Sequence, residues 1–313
     1  MGNMLIKRIL RGMLTLAITV VVVFVLVRSV PGDPAELMAG SDATEQQIEE
    51  IRQAWGLDKP ILEQFGIYVS RLVQGDMGVS YQYMVGGKAT TPVISLILAR
   101  MPRTLLLAVC VTLFGSLVAI PLGIITALKP NSWLDNALTS FSLVLTSFPG
   151  FYIAMVFILL FALRLKWLPT GGYGSFKTMI LPTLALSMHF IAAVSRVTRT
   201  EVGLVMKSDY VRTAKAKGLS YPLVLFKHCL RNAIIPIMTT IGMRFSKNVT
   251  GAVYIESLFR YYGLGELLIS SVNARDYPTI QALIPYTALM FIVCNIIVDM
   301  LYAVVDPRIR SNK

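Results

Sequence analysis

Asp209–Leu219 reads DYVRTAKAKGL, a polar run inside a chain that is 55% hydrophobic with a mean hydropathy of +0.66. Ser208-Asp209 is a helix start, Val211 to Lys217 the helix body and Gly218 its stop. At i, i+3 and i+7, Val211, Ala214 and Gly218 share one face, while Arg212, Lys215 and the hydroxyl of Thr213 turn away from it. Two readings fit these residues. A small-residue face suits insertion into a partner's cleft, because backbones can approach closely there. The other reading is an ordinary basic loop on the inner side of a membrane.

Composition supplies the membrane. Only 15% of the 313 residues are charged, against about 25% in soluble domains. The net charge of +12 does not mark a nucleic-acid protein, because the cations sit at the ends of apolar runs. Six such runs, at 9–28, 103–128, 137–163, 179–196, 234–256 and 281–304, approach the ~20 residues that cross a bilayer. The predicted fold is therefore all-α, a polytopic membrane protein with six spans. Within the first run, Gly12 to Val27 is bounded by Arg11 and Arg28 with no small-x-small cleavage site directly after it, so it reads as a retained helix.

With the N-terminus inside, the inner stretches hold fifteen Lys and Arg. The short outer loops hold five: Arg164, Lys166, Lys177, Arg260 and Arg275. This bias places both termini in the cytoplasm. The expected organisation is a first span (1–28), an external helical cap region (29–102), a five-span core (103–304) and a cytoplasmic tail (305–313). The core carries the long inner loop 197–233. In the cap, SDATEQQIEEIRQAWGL offers Ser41 and Thr44 as caps, with Ile48, Ile51 and Trp55 at helical spacing before Gly56. PILEQFGIYVSRLVQG starts a second helix on Pro60.

No catalytic or metal constellation appears. VGGKAT at Val85–Thr90 lacks the flanking residues of a phosphate-binding loop, so any ATP belongs on another chain. Cys110, Cys229 and Cys294 read as packing residues, and His189 and His228 have no partners at metal spacing. Polar residues inside spans point to a pathway. Arg244, Lys247 and Asn248 fall at i, i+3 and i+4, with Thr240 and Gly251 extending that face. They suit a carboxylate-bearing solute; the alternative is pairing with Asp299 or with an acid on a partner. Asn295 and Asp299, at i and i+4, read as interhelical polar contacts. Ser147 and Pro149 mark a broken helix lining the pore, and Glu256 sits near the outer mouth of its span.

DYVRTAKAKGL followed by KHCLRNAIIP resembles the coupling loop of binding-protein-dependent ABC importer permeases, in the oligopeptide/dipeptide branch. The general Glu-Ala-Ala-x-x-x-Gly pattern of that family loses its Glu here. Arg212, Thr213 and Ala214 hold its three leading places, and Gly218 fits. PGDPAE, GLDKP, GDMGVSY, MPRTLLLA, SFPGF, WLPTGGYG, GLGELL, ARDYP and DPRIR resemble the same branch, in the same order, along nearly the whole chain. The resemblance implies half of a pore in the bacterial inner membrane, usually paired with a second, homologous permease subunit as a heterodimer. It implies two ATPase subunits carrying ATP and Mg, and an external solute-binding protein. Arg212, Thr213, Ala214, Lys215, Lys217 and Gly218 become the expected ATPase-coupling residues. Peptides are the expected solutes, with glutathione and nickel or its chelates as alternatives within the branch.

A stand-alone secondary transporter is the rival from another class. Repeated halves with paired broken helices, and a buried carboxylate cluster for ion coupling, are both missing from this sequence.

Overall fold

The structure, a computed structural model, describes residues 2–29, 33, 35, 36, 43–85 and 88–305. The Ser41 cap, much of PGDPAE and the tail motif DPRIR lie outside the described residues. Apolar runs at helical period give α1 (Gly2–Arg28), α4 (Val93–Leu128), α7 (Phe176–Met206) and α13 (Tyr277–Val305). Over Ile6–Arg28, Val93–Leu128, Phe176–Met206 and Tyr277–Met300 these are long and apolar enough to cross a membrane. A fifth candidate is the bent pair α5 (Trp133–Ser147) and α6 (Gly150–Phe157), the latter continued by a π-helical turn, Ile158–Arg164. The fifth expected run, 234–256, becomes α10 (Arg231–Gly251) and α11 (Val253–Leu258). It does not reach the apolarity of the others among the described residues, since Arg231, Arg244 and Lys247 all fall in it.

Two expectations on the fold are corrected. The chain is not purely helical: β1 (Val79–Val85) pairs antiparallel with β2 (Lys88–Pro92), Val79 opposite Pro92 and Val85 opposite Lys88. Alternating Tyr81, Tyr83 and Val85, then Gly86-Gly87, then Thr90-Thr91 carry that hairpin in the sequence. The second span also begins ten residues early, at Val93 instead of 103, because VISLILAR continues the apolar period directly from the hairpin.

The chain divides into two compact units, 1–104 with 262–292, and 105–261 with 293–313. The first holds α1, α2 (Glu45–Ala54), α3 (Ile61–Gln74), the hairpin and α12 (Leu264–Asn273). Thr44 caps α2 through a reciprocal box with Gln47. Gly56 turns the chain out of α2 at φ +63, in the region where a side chain is costly. Trp55, Leu57 and Ile51 pack on Val27 and Tyr277. Asp276 binds the hairpin to the start of α13. Fully buried, its carboxylate accepts from the Ser80 hydroxyl, from Thr279 Oγ1 at 2.8 Å and from the Tyr81 amide at 3.3 Å. ARDYP is thus a structural junction.

In the second unit α7 is the axis, with 61% of its apolar window buried, against 17% for α1 in the first. Gly115 and Gly123 on α4 make room for Phe190, Ser195 and Thr198 on α7, and a Cβ at Gly123 would lie 2.7 Å from the Ser195 carbonyl. Small residues allow helices to approach this closely inside a membrane. Cys229 and Cys294 are buried and unpaired, as packing residues are, and Cys110 is half-buried.

Candidate functional site

The quoted stretch forms α8 (Asp209–Ala216), joined to α7 by only Lys207 and Ser208. Asp209 adds an acid to the first turn, where it complements the helix dipole. Ser208 holds the N-cap position, but its hydroxyl donates back to the Val205 carbonyl at 2.6 Å instead of capping. Gly218 ends the helix at φ +76, with open space around its α-carbon.

Val211 and Ala214 are buried, but against this chain's own Val205, Met206 and Val224. The small-residue face therefore anchors α8 to its own unit. The exposed face holds Arg212, Thr213, Lys215, Ala216, Lys217 and Gly218, so charge and backbone, not the Val211 face, meet whatever docks there. Arg212 lies 3.8 Å from Asp209 with both side chains largely in solvent, and such a pair contributes little. Thr213 Oγ1 donates to the Asp209 carbonyl at 2.9 Å. The Asn232 amide donates to the Tyr210 hydroxyl at 2.9 Å. That bond ties α8 to α10 across α9 (Tyr221–Leu223) and a second π-helical turn, Val224–Leu230. Extra residues in a π turn often mark functional bends.

Behind α8 lies a contact that the sequence had not singled out. Asp135, 1% exposed in the first turn of α5, accepts from Arg199 on α7 through Nε and, at 2.6 Å, through its second terminal nitrogen. The Asn131 amide adds a bond of 2.9 Å. The available signal was an acid three residues after Ser132, in the capping position. In the sequence Arg199 is one of the fifteen inner Lys and Arg and carries no further signal.

The α5–α6 break falls at Ser147, Phe148 and Pro149, and the axis turns by 104°. Phe148 and Pro149 are extended, which frees backbone groups. His189 Nε2 lies 3.1 Å from the Phe148 carbonyl, and the Ser147 hydroxyl donates to Leu143 at 3.0 Å. His189 thus meets the backbone at the bend.

On α10, Arg244 and Asn248 are half-buried and Lys247 is exposed. Among the described residues neither cation has an acid within ion-pair distance, and Asn248 Nδ2 is buried without a partner. Thr240 uses its hydroxyl on the Pro236 carbonyl at 2.9 Å. Asn295 and Asp299 sit one turn apart on α13, and neither lacks a partner. Glu256 is fully buried. α11 turns it inward beside Ile255.

Comparison with known proteins agrees with this arrangement. Residues 119–311 match the family described as binding-protein-dependent transport system inner membrane component, and residues 1–108 match its N-terminal companion. The chain belongs to that family. It is a permease subunit of an ABC importer, located in the inner membrane. It is 43% identical to the glutathione transport system permease protein GsiC of Escherichia coli (strain K12) over 310 residues, covering 99% of each chain. The namesake of Pectobacterium atrosepticum is 41% identical at the same coverage. Among solved structures, the MetNI methionine ABC transporter in its inward-facing conformations aligns with TM-score 0.58 at 14% identity, over 69% of this chain and 99% of that one. An amino acid ABC transporter aligns with TM-score 0.54 at 14% identity, over 67% and 94%. These two likenesses concern the fold alone.

Proposed function

We propose that this permease forms one half of the translocation pore of an ATP-driven importer of small peptides, the tripeptide glutathione among them. The full assembly pairs it with a second, homologous permease, two ATPase subunits that hold ATP and Mg, and an external binding protein that delivers the solute. In this reading the permease has six spans, α10 with α11 being the fifth and α13 the sixth, and both termini are cytoplasmic. ATP hydrolysis belongs to the partner chains.

The observation that carries the coupling role is the exposed basic face of α8, two residues from the end of the most buried span. Closure of the ATPases pushes Arg212, Thr213, Lys215, Lys217 and Gly218, and α7 passes the movement to the bend at Ser147–Pro149. Charge on this face gives orientation and specificity to docking. The observation that favours an anionic or zwitterionic solute is the pair of cations on α10 with the unpartnered Asn248 amide. A cation inside a span is costly unless it serves a partner or a solute.

Reconstitution in proteoliposomes tests the reading. ATP-dependent uptake of glutathione that requires the binding protein, both permeases and the ATPases supports it. Solute flux by this chain alone under a proton or sodium gradient refutes it in favour of a secondary transporter.

A further inference from the structure

The first unit contains a cleft that the coupling role does not use, between α1, α3 and the start of α13. Its internal volume is about 30 Å³, where a single water needs roughly 10–15 Å³. It therefore holds two oxygen-sized groups and excludes a whole solute.

The lining is cationic and rich in donors. Arg28, the last residue of α1, donates from Nε to Gln64 Oε1 at 2.9 Å, with its guanidinium 5.1 Å from the Phe24 ring. Its two terminal nitrogens have no partner among the described residues. The Arg71 guanidinium lies 5.5 Å from the centre of the Trp55 ring, on the same cleft. Gln281 is 4% exposed, lines the cleft, and has a buried Nε2 with no hydrogen-bond partner. Buried amide donors normally find an acceptor, so this one asks for an explanation. Gln281 is also held in place: the Tyr68 hydroxyl donates to its main-chain carbonyl at 2.8 Å. Burial pushes that hydroxyl up to about 12, so it stays a protonated donor at neutral pH. Asp76, the acid in the lining, is exposed and already accepts from the Gly78 amide at 3.1 Å.

We propose that this cleft binds a carboxylate group, with the free nitrogens of Arg28 and the Nε2 of Gln281 donating to its two oxygens. A guanidinium fork matches a planar two-oxygen anion, and such charge-assisted bonds are the strong ones. Two sources present that group: a small free carboxylate, such as the terminus of a peptide, or an acidic side chain on a docking protein. The site does not depend on the coupling role of α8.

The test uses the whole importer complex in lipid nanodiscs, and the emission of Trp55, which lines the cleft, is read as the difference between that complex and the same complex carrying Trp55→Phe. Sodium acetate is titrated at constant ionic strength. A saturable change in emission is expected, weakened at least tenfold in Arg28→Gln and about fivefold in Gln281→Met. Co-purification of the complex checks that both variants assemble. Competition by glutathione, lost when its carboxyl groups are amidated, identifies a free solute as the source. Saturation by acetate alone, with the binding protein's affinity lowered by acetate, assigns the cleft to an acidic side chain. No saturable response to acetate, or the same response in wild type and both variants, overturns the proposal.

Discussion

Asp135 and Arg199, 64 positions apart in sequence, meet in a two-pronged ion pair that joins the first turn of α5 to the part of α7 nearest α8. Because α5 leads to the bend at Phe148 and α7 leads to α8, the pair links the bent helices and the stem of α8 at one point. Asp135 is 1% exposed at its side chain and Arg199 36%, so the acid depends on this cation for its charge compensation.

Replacing Asp135 by Ala is expected to cost about 2 kcal/mol. That is below the roughly 3–5 kcal/mol for breaking a wholly buried pair, since Arg199 is partly hydrated. Arg199→Lys keeps the charge but loses the fork and should lose less. Thermal unfolding of the purified complex ranks the two variants. ATPase activity that persists while uptake falls in Asp135→Ala marks the pair as part of the transmission.

Gly218 stands in the left-handed region with open space around it. Gly218→Ala meets no atom and pays only for its backbone, about 1 kcal/mol. Gly218→Trp projects a ring from the exposed face of α8. It is expected to insert normally yet fail to recruit the ATPase subunits, as read by co-purification. Normal recruitment with normal flux contradicts the docking role of this face.

The hydrophobic runs made most of the helices legible, because a span must satisfy its backbone internally and show lipid an apolar surface. They did not reveal the hairpin, because its alternating Tyr81, Tyr83 and Val85 show a period of two and not a continuous apolar run. Nor did they reveal which way α8 faces. Val211 and Ala214 look alike as a docking surface and as an anchor, and only the positions of Val205 and Val224 decide between them. The Asp135–Arg199 contact was hidden for a related reason: periodicity reports faces within one helix, and this pair spans two helices and 64 residues. The limits of α8 were legible because Asp209 and Gly218 are local start and stop signals.

Two glycines make a controlled comparison. A Cβ on Gly171 would lie 1.9 Å from the Phe259 carbonyl oxygen. That carbonyl also accepts from the Gly172 amide at 2.8 Å, so it cannot retreat without losing the bond. Gly171→Ala is expected to destabilise by about 3 kcal/mol or more, within the large class of steric defects. Gly203, on α7, has nothing within 4 Å. Gly203→Ala should stabilise by roughly 0.5–1 kcal/mol through helix propensity. Thermal unfolding of both variants checks the contrast.

Arg244→Leu with Lys247→Leu should leave assembly and basal ATPase activity intact. Uptake of glutathione is expected to fall at least tenfold, against a small change for an uncharged solute analogue. Unchanged glutathione uptake would remove the anion-binding role of α10.

The first unit should loosen in acid. Burial raises the carboxyl of Asp33, but hydrogen bonds from Arg52 and the Ala35 amide outweigh this, and the net shift is downward. A folded-state value below the unfolded one means the stabilisation is present at neutral pH. It is lost as pH falls through the carboxylate range below about 4. Proteolysis between α1 and α2 should therefore rise below about pH 4 in wild type. Asp33→Asn should show that raised rate already at neutral pH.

Single-cysteine cross-linking to the ATPase subunit, in a background lacking Cys110, Cys229 and Cys294, tests the central claim most directly. Ala216→Cys sits on the exposed face of α8 and Val211→Cys on the buried one. A cross-link from position 216 that changes with ATP, and none from position 211, is the predicted result. No cross-link from 216 in an assembled, transporting complex would contradict the assignment of α8 as the ATPase contact.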